Sequence, residues 1–250
     1  MPIRLDPNAL RAEARGLLQT AQVPALRFTA LFFAVSLVLS LCNAVADHVL
    51  GTVNVLNFSL SAFSVFVSLL SVVLSAGYSC YCLRVRRGER APYASLLEAL
   101  PFAGKVVGVT VLQGALIGVG LSLFVVPGVV MALSYSQAML HLCDDPDCGV
   151  LEALRRSRME MRGHKLELAM LFLGFLPLLL VAALAMGMSQ LTLSPLFPRT
   201  MAGDLLYVLV SGLLLAASQL YLRPWLSMAL VCFFRNLTDA DDADTDDDAP

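Results

Sequence analysis

The side chains best suited to chemistry crowd into one short stretch of this 250-residue chain. Ser134, Tyr135, Ser136 and Gln137 stand together, and His141 follows one helical turn after Gln137. A serine near a histidine could support nucleophilic catalysis, with the imidazole taking the hydroxyl proton and a carboxylate holding the imidazole in place. No carboxylate is placed to orient His141, so the group is not read as catalytic and the protein is not expected to be an enzyme. Hydroxyl and amide groups inside an apolar helix seek partners on neighbouring helices. The expectation is therefore interhelical bonding, with a polar cavity for a solute or lipid headgroup as the alternative. Burial of Ser134, Tyr135 and Gln137 against other helices, with no cavity, would count against that alternative.

Metal chemistry fares no better. His141, Cys143, Asp144, Asp145, Asp147 and Cys148 offer both soft and hard ligands. Cys-x4-Cys with one nearby histidine, however, matches no standard zinc spacing. Cys80 and Cys82 are two apart, and on a helix such neighbours diverge. The chain has no P-loop, His-Glu-x-x-His, dinucleotide fingerprint or nucleophile elbow. No cofactor and no metal are expected.

These residues sit in a chain that is 58% hydrophobic and only 14% charged, whereas soluble domains carry about 25% charged residues. A helix needs about 20 apolar residues to cross the hydrocarbon core of a bilayer. Runs free of Asp, Glu, Lys and Arg occupy 28–46, 48–83, 106–143, 168–198 and 205–222. The run 106–143 is too long for one crossing, and Pro127-Gly128, a pair that punctuates helices, is the candidate hinge or turn that divides it. The fold predicted is an all-α polytopic transmembrane bundle of six spans, at about 28–47, 59–83, 105–125, 128–143, 167–189 and 204–223. Residues 1–27 precede it, the membrane domain ends near 237, and 238–250 form an acidic tail expected to be disordered.

Charge placement supports the count. Lys and Arg concentrate in cytoplasmic loops of membrane proteins. Six spans with an inside N-terminus place sixteen of the seventeen basic residues on the cytoplasmic side and only Arg199 outside. The expected location is the inner, cytoplasmic membrane of a bacterium, with both termini cytoplasmic.

The flanking segments carry their own signals. Asp6 is a candidate N-cap with Pro7 at the first helical position, and Leu5 can pack on Leu10. Leu10, Ala14, Leu17, Leu18 and Ala21 then share a face, which predicts a short amphipathic helix on the inner membrane surface with Arg11 and Arg15 elsewhere. Pro92 opens a helix near Ser95–Leu100, and Asp145-Pro146-Asp147 caps another at about 149–162. Gly104, Gly108, Gly114, Gly118 and Gly120 allow close helix approach around the third span. Arg223-Pro224 leaves two courses for the last helix: it ends there with Arg223 snorkelling to the interface, or it continues.

One run has a recognisable pattern. Val126-Pro127-Gly128 leads through Ser134-Tyr135-Ser136-Gln137-Ala138 to Asp145-Pro146-Asp147. Glu152-Ala153-Leu154 and Ser157 follow, and Met161, Gly163, His164 and Lys165 close it. This run resembles the bacterial membrane-protein family catalogued as domain of unknown function nine-seven-five. The resemblance implies a several-span membrane protein and no particular chemistry, and it does not extend to the aspartate-rich tail.

The reading of function is an integral membrane protein, foremost a non-catalytic scaffold or assembly and modulator protein. The alternative is a transporter or lipid-handling protein using the polar site near the fourth span. Its partners are the lipid bilayer and other membrane proteins, with no nucleic acid.

Overall fold

A computed structural model describes residues 7–20, 25–51, 57–89, 91–193, 196 and 200–247. Among these, regular structure is helical throughout. The elements are α1 (Pro7–Thr20), α2 (Ala25–Gly51), α3 (Asn57–Arg86), a 3-10 turn (Tyr93–Leu97), α4 (Ala103–Leu123) and α5 (Val125–Tyr135). They continue with α6 (Ala138–Asp144), α7 (Val150–Glu160), α8 (Lys165–Leu193) and α9 (Met201–Asp247). Six helical stretches are long and apolar enough to cross a membrane. They are Ala25–Ala46, Phe63–Arg86, Ala103–Leu123, Val125–Asp144, Lys165–Leu184 and Ala202–Leu220. The six-span helical architecture read from the sequence is thus the observed one. Only helices can satisfy every backbone group of such apolar segments internally.

Two compact units are distinguishable. One comprises Met1–Pro24, Val73–Phe175 and Trp225–Pro250; the other comprises Ala25–Val72 and Leu176–Pro224. In the second unit the polar side chains are absorbed locally. Ser36, Ser68 and Ser211 donate to the carbonyls of Phe32, Ser64 and Tyr207 respectively, the usual outlet for a hydroxyl on an apolar helix. The Ser64 hydroxyl of α3 reaches Asn43 Oδ1 of α2 at 2.9 Å. The Arg223 guanidinium lies 4.0 Å from the Phe32 ring centroid, so its charge rests on an aromatic face.

The first unit holds the aromatic core. Tyr78, Tyr81, Phe175, Phe233 and Phe234 are all fully buried. Here α1 is docked onto protein. Leu10 and Ala14 are buried as the amphipathic pattern requires. The arginines, less buried than that face, also touch protein: Arg11 donates to the carbonyls of Met170 and Leu171 at 3.0 and 3.1 Å, and Arg15 stacks 5.0 Å from the Trp225 ring. Gly174 makes this contact feasible, since a Cβ there would overlap the Arg11 guanidinium. Trp225 Nε1 in turn donates to the Arg11 carbonyl at 3.2 Å. Asp6 and Leu5, the expected cap and staple of α1, lie outside the described residues.

Between α4 and α5 the chain reverses at Phe124, the single extended residue, at φ −162° and ψ 153°. Pro127 and Gly128 stand in the first turn of α5, where the missing Pro127 N–H has no intrahelical acceptor to lose. Gly128 serves the packing, because a Cβ there would sit 2.8 Å from the Leu121 nitrogen. Its neighbour across the reversal is Gly120, whose added Cβ would come 2.9 Å from Gly128 Cα. The glycine repeats expected to mediate close approach do so only in part. Gly108 faces Val150, but Gly104, Gly114 and Gly118 have nothing within 4 Å.

The last helix passes through Pro224 without ending. Leu222, Pro224, Met228 and Ala229 are buried around that point, so packing outweighs the one backbone bond that proline removes. The helix also carries on to Asp247, past the start of the acidic segment at 238. Adding residues to a helix already nucleated gains one hydrogen bond each without a new nucleation cost.

On α9, beyond the sixth span, Cys232 is fully buried. Burial, with the Glu13 carboxylate adding to it, pushes its thiol up to about 12. A raised thiol pKa keeps the protonated, unreactive form through neutral and mildly alkaline pH. Iodoacetamide at pH 8 is therefore expected to leave Cys232 unmodified in the folded protein and to alkylate it fully in dodecyl sulfate. Peptide mass spectrometry reads the difference, and equal labelling in both states would contradict the burial.

Candidate functional site

The fourth span is interrupted where the polar residues lie. Ser136 closes α5 and Gln137 opens α6, at φ −92° and ψ −6°. In a continuous helix the Gln137 N–H would bond the Leu133 carbonyl, and the Ala138 N–H would bond that of Ser134. Ser157 of α7 repairs the break from the side. Its hydroxyl donates to the Ser134 carbonyl at 2.9 Å and accepts from the Gln137 N–H at 3.3 Å. One side chain thus satisfies a stranded donor and a stranded acceptor, both buried. Leaving either unmade would cost about 1–3 kcal/mol.

α7 can present that hydroxyl because its apolar face is short and regular. Ala153, Leu154 and Ser157 are its buried residues, and Glu160 follows Ser157 by one turn along the same side. The helix closes at the Met161 C-cap, and Gly163, two residues on, turns the chain at φ 97°, a left-handed conformation in which glycine carries no Cβ penalty. The helix starts differently from expectation. Its N-cap is Gly149, without a side-chain cap. The acidic residues upstream build a turn instead: Asp145 Oδ1 accepts from the Asp147 N–H at 3.2 Å. Lys105 Nζ from α4 closes over that turn, donating to the carbonyls of Pro146 and Asp147 at 2.7 and 3.1 Å.

Each residue singled out from the sequence has a definite environment. Ser134 is buried and donates to the Val130 carbonyl at 2.6 Å; Ser136, half-buried, donates to that of Leu133 at 2.9 Å. Tyr135 is buried. Neither serine hydroxyl bonds His141. The imidazole turns the other way, with Nε2 2.9 Å from Glu160 Oε2. Its ring meets Phe234 edge-on at 4.9 Å. A carboxylate partner for His141 therefore exists, although no carboxylate adjacent in sequence announced it. The serines lie off that axis, so histidine and acid are together but no nucleophile joins them.

Gln137 is the exception to this economy. It is 0% exposed, and neither end of its side-chain amide has a hydrogen-bond partner among the described residues. Around it the remaining ligand-type residues disperse. Cys143 Sγ lies 2.7 Å from Cys80 Sγ of α3. Asp144 pairs with Arg87, and Asp145 with Arg156 at 3.4 Å. Among the described residues no three of His, Cys, Asp and Glu converge on a common point.

Sequence reasoning missed Glu160, Phe234 and the task of Ser157. Ser157 did leave a signal, being a small polar residue on the face of α7 that otherwise carries Ala153 and Leu154. Glu160 left none, since only the return of α7 against α6 makes it a partner of His141.

No curated protein and no solved structure matches the chain. A family model does, and it spans the third to sixth apolar helices together with the interrupted fourth span and its α7 brace. By that match over residues 108–241, more than half of its length, the chain belongs to the family described as Protein of unknown function (DUF975).

Proposed function

We propose that this integral membrane protein is a non-catalytic scaffold that organises other membrane proteins, resident in the bacterial inner membrane with both termini cytoplasmic. The observation that carries this reading is the mutual commitment of Ser157, His141 and Glu160. Ser157 spends its hydroxyl on the broken span, and His141 and Glu160 spend their charges or dipoles on each other. Polar groups so committed hold α7 rigidly against α6 and leave little to act on a substrate. The skew of basic residues to one side supports the orientation.

A second reading, transport or lipid handling, is favoured by the buried, unpartnered Gln137 amide, which would welcome a polar group of a bound molecule. One experiment separates the two. Detergent-free extraction into polymer nanodiscs, followed by native mass spectrometry, is expected to give a complex with another membrane protein at fixed stoichiometry. A lone monomer carrying a stoichiometric small molecule, lost in Gln137→Leu, would overturn the scaffold reading in favour of the second.

A further inference from the structure

The basic residues of the first unit divide sharply. Arg84 pairs with Glu98 and Arg86 with Glu13, each at 2.8 Å. Arg87 pairs with Asp144. Arg156 reaches Glu152 at 3.1 Å and Asp145 at 3.4 Å, and Lys105 is held by two carbonyls. The guanidinium groups of Arg155, Arg158 and Arg162, by contrast, are exposed and have no acidic or hydrogen-bond partner among the described residues. At about 100° per residue, the spacing places Arg155 and Arg158 in one stripe along α7 with Leu151 in line, and Arg162 follows in the turn just after the Met161 C-cap. Exposed apolar side chains accompany these arginines: Leu151 and Met159 on α7 are 73% and 51% exposed, and Leu166, at the start of α8, is 67% exposed. Arginines alternating with exposed apolar side chains are the composition of a surface that meets a bilayer interface.

The position of α7 fits that composition. It starts six residues after one apolar span ends at Asp144 and stops five residues before the next begins at Lys165. It cannot leave the vicinity of the headgroups. We infer that Arg155 and Arg158 of α7, with Arg162 just after it, form a binding surface for anionic phospholipid, with arginines on the headgroup phosphates and Leu151, Met159 and Leu166 against the acyl boundary. The charge is complementary, and guanidinium groups match phosphate oxygens in pairs. This inference is independent of the scaffold reading, since neither Ser157 nor the His141–Glu160 pair takes part.

Native mass spectrometry of the full chain in detergent, titrated with phosphatidylglycerol or phosphatidylcholine, tests it. The wild type is expected to retain the anionic lipid preferentially. Each arginine changed to glutamine should lower that affinity about fivefold, cumulatively in R155Q/R158Q/R162Q. The triple lysine variant should fall between the wild type and the triple glutamine variant, because the charge remains but the paired guanidinium–phosphate bonds are lost. These side chains are exposed, so melting temperatures should not move; if the triple variant does not fold, the three single variants carry the same expectation. Equal retention of both lipids by the wild type, or unchanged anionic binding by the glutamine variants, overturns the inference. So does full competition by free glycerol 3-phosphate at the lipid's own concentration, which would leave the apolar residues without a role. Loss of a co-purifying acidic protein, with lipid binding unaffected, would reassign the surface to that protein.

Discussion

Replacing Gly77 by alanine is expected to lower the melting temperature of the detergent-solubilised protein by about 5–10 °C. Gly77 lies on α3 where that helix presses on the 3-10 turn after Pro92. A Cβ there would overlap the Leu96 carbonyl oxygen and stand 2.7 Å from its carbon and 3.2 Å from its Cα. All three atoms are backbone, so no rotamer change can make room and the turn itself must move. Moving it disturbs the buried Ser95 and Leu96 and the nearby Arg84–Glu98 ion pair. Overpacking of this kind costs about 1–3 kcal/mol, and each kcal/mol is worth about 2–4 °C in a chain of this size. Gly114→Ala is the control, because nothing lies within 4 Å of its added carbon. Alanine is the better helix former by up to about 1 kcal/mol, so that variant should be neutral or slightly stabilised. Equal melting temperatures for the two variants would show that α3 does not approach the turn as described.

The second large effect concerns His141 and Glu160. Glu160→Leu removes the carboxylate 2.9 Å from Nε2 and strands a buried imidazole whose other side is closed by Phe234. Removing one member of a buried pair costs about 3–5 kcal/mol when the pair is charged, and about 1–3 kcal/mol when it is a neutral hydrogen bond. His141→Phe should be costly as well, because it strands the acid. The double variant H141F/E160L replaces both partners by apolar groups and should recover much of the loss, since neither group is then left unsatisfied. A double-mutant cycle on unfolding free energy measures the recovery. Strictly additive losses would mean that the two side chains do not meet.

The class of fold was legible in the sequence because a membrane imposes its demands residue by residue. Twenty apolar residues in a row have few alternatives to a spanning helix, and a 38-residue run must reverse somewhere. The place of reversal was legible only to within about three residues. Pro127-Gly128 looks like punctuation, yet proline is tolerated in a first helical turn, and Gly128 is needed so that the backbone of α5 can lie against Gly120. The glycine repeats misled for a related reason. Spacing shows that a face is small, but not whether another helix lies opposite it. Gly77, without any repeat, makes the tightest approach to a fixed backbone among the described glycines compared.

The cluster that opened the reading shows the same division. Ser134, Tyr135, Ser136, Gln137 and His141 could be picked from the sequence as a polar set in an apolar span, and their burial follows from polar groups seeking partners inside a bundle. Their bonding could not. The serines turn to carbonyls of their own helix, a local choice, whereas Ser157 and Glu160 arrive from a helix some twenty residues further along. Hydrophobic length and charge segregation are local properties of a chain, and they determined that this protein has six helical stretches long and apolar enough to cross a membrane. Which donor meets which acceptor depends on where separate helices come to rest. Only the tertiary structure decided that α7 braces a broken span and that Arg155, Arg158 and Arg162 are left exposed, without an acidic partner among the described residues.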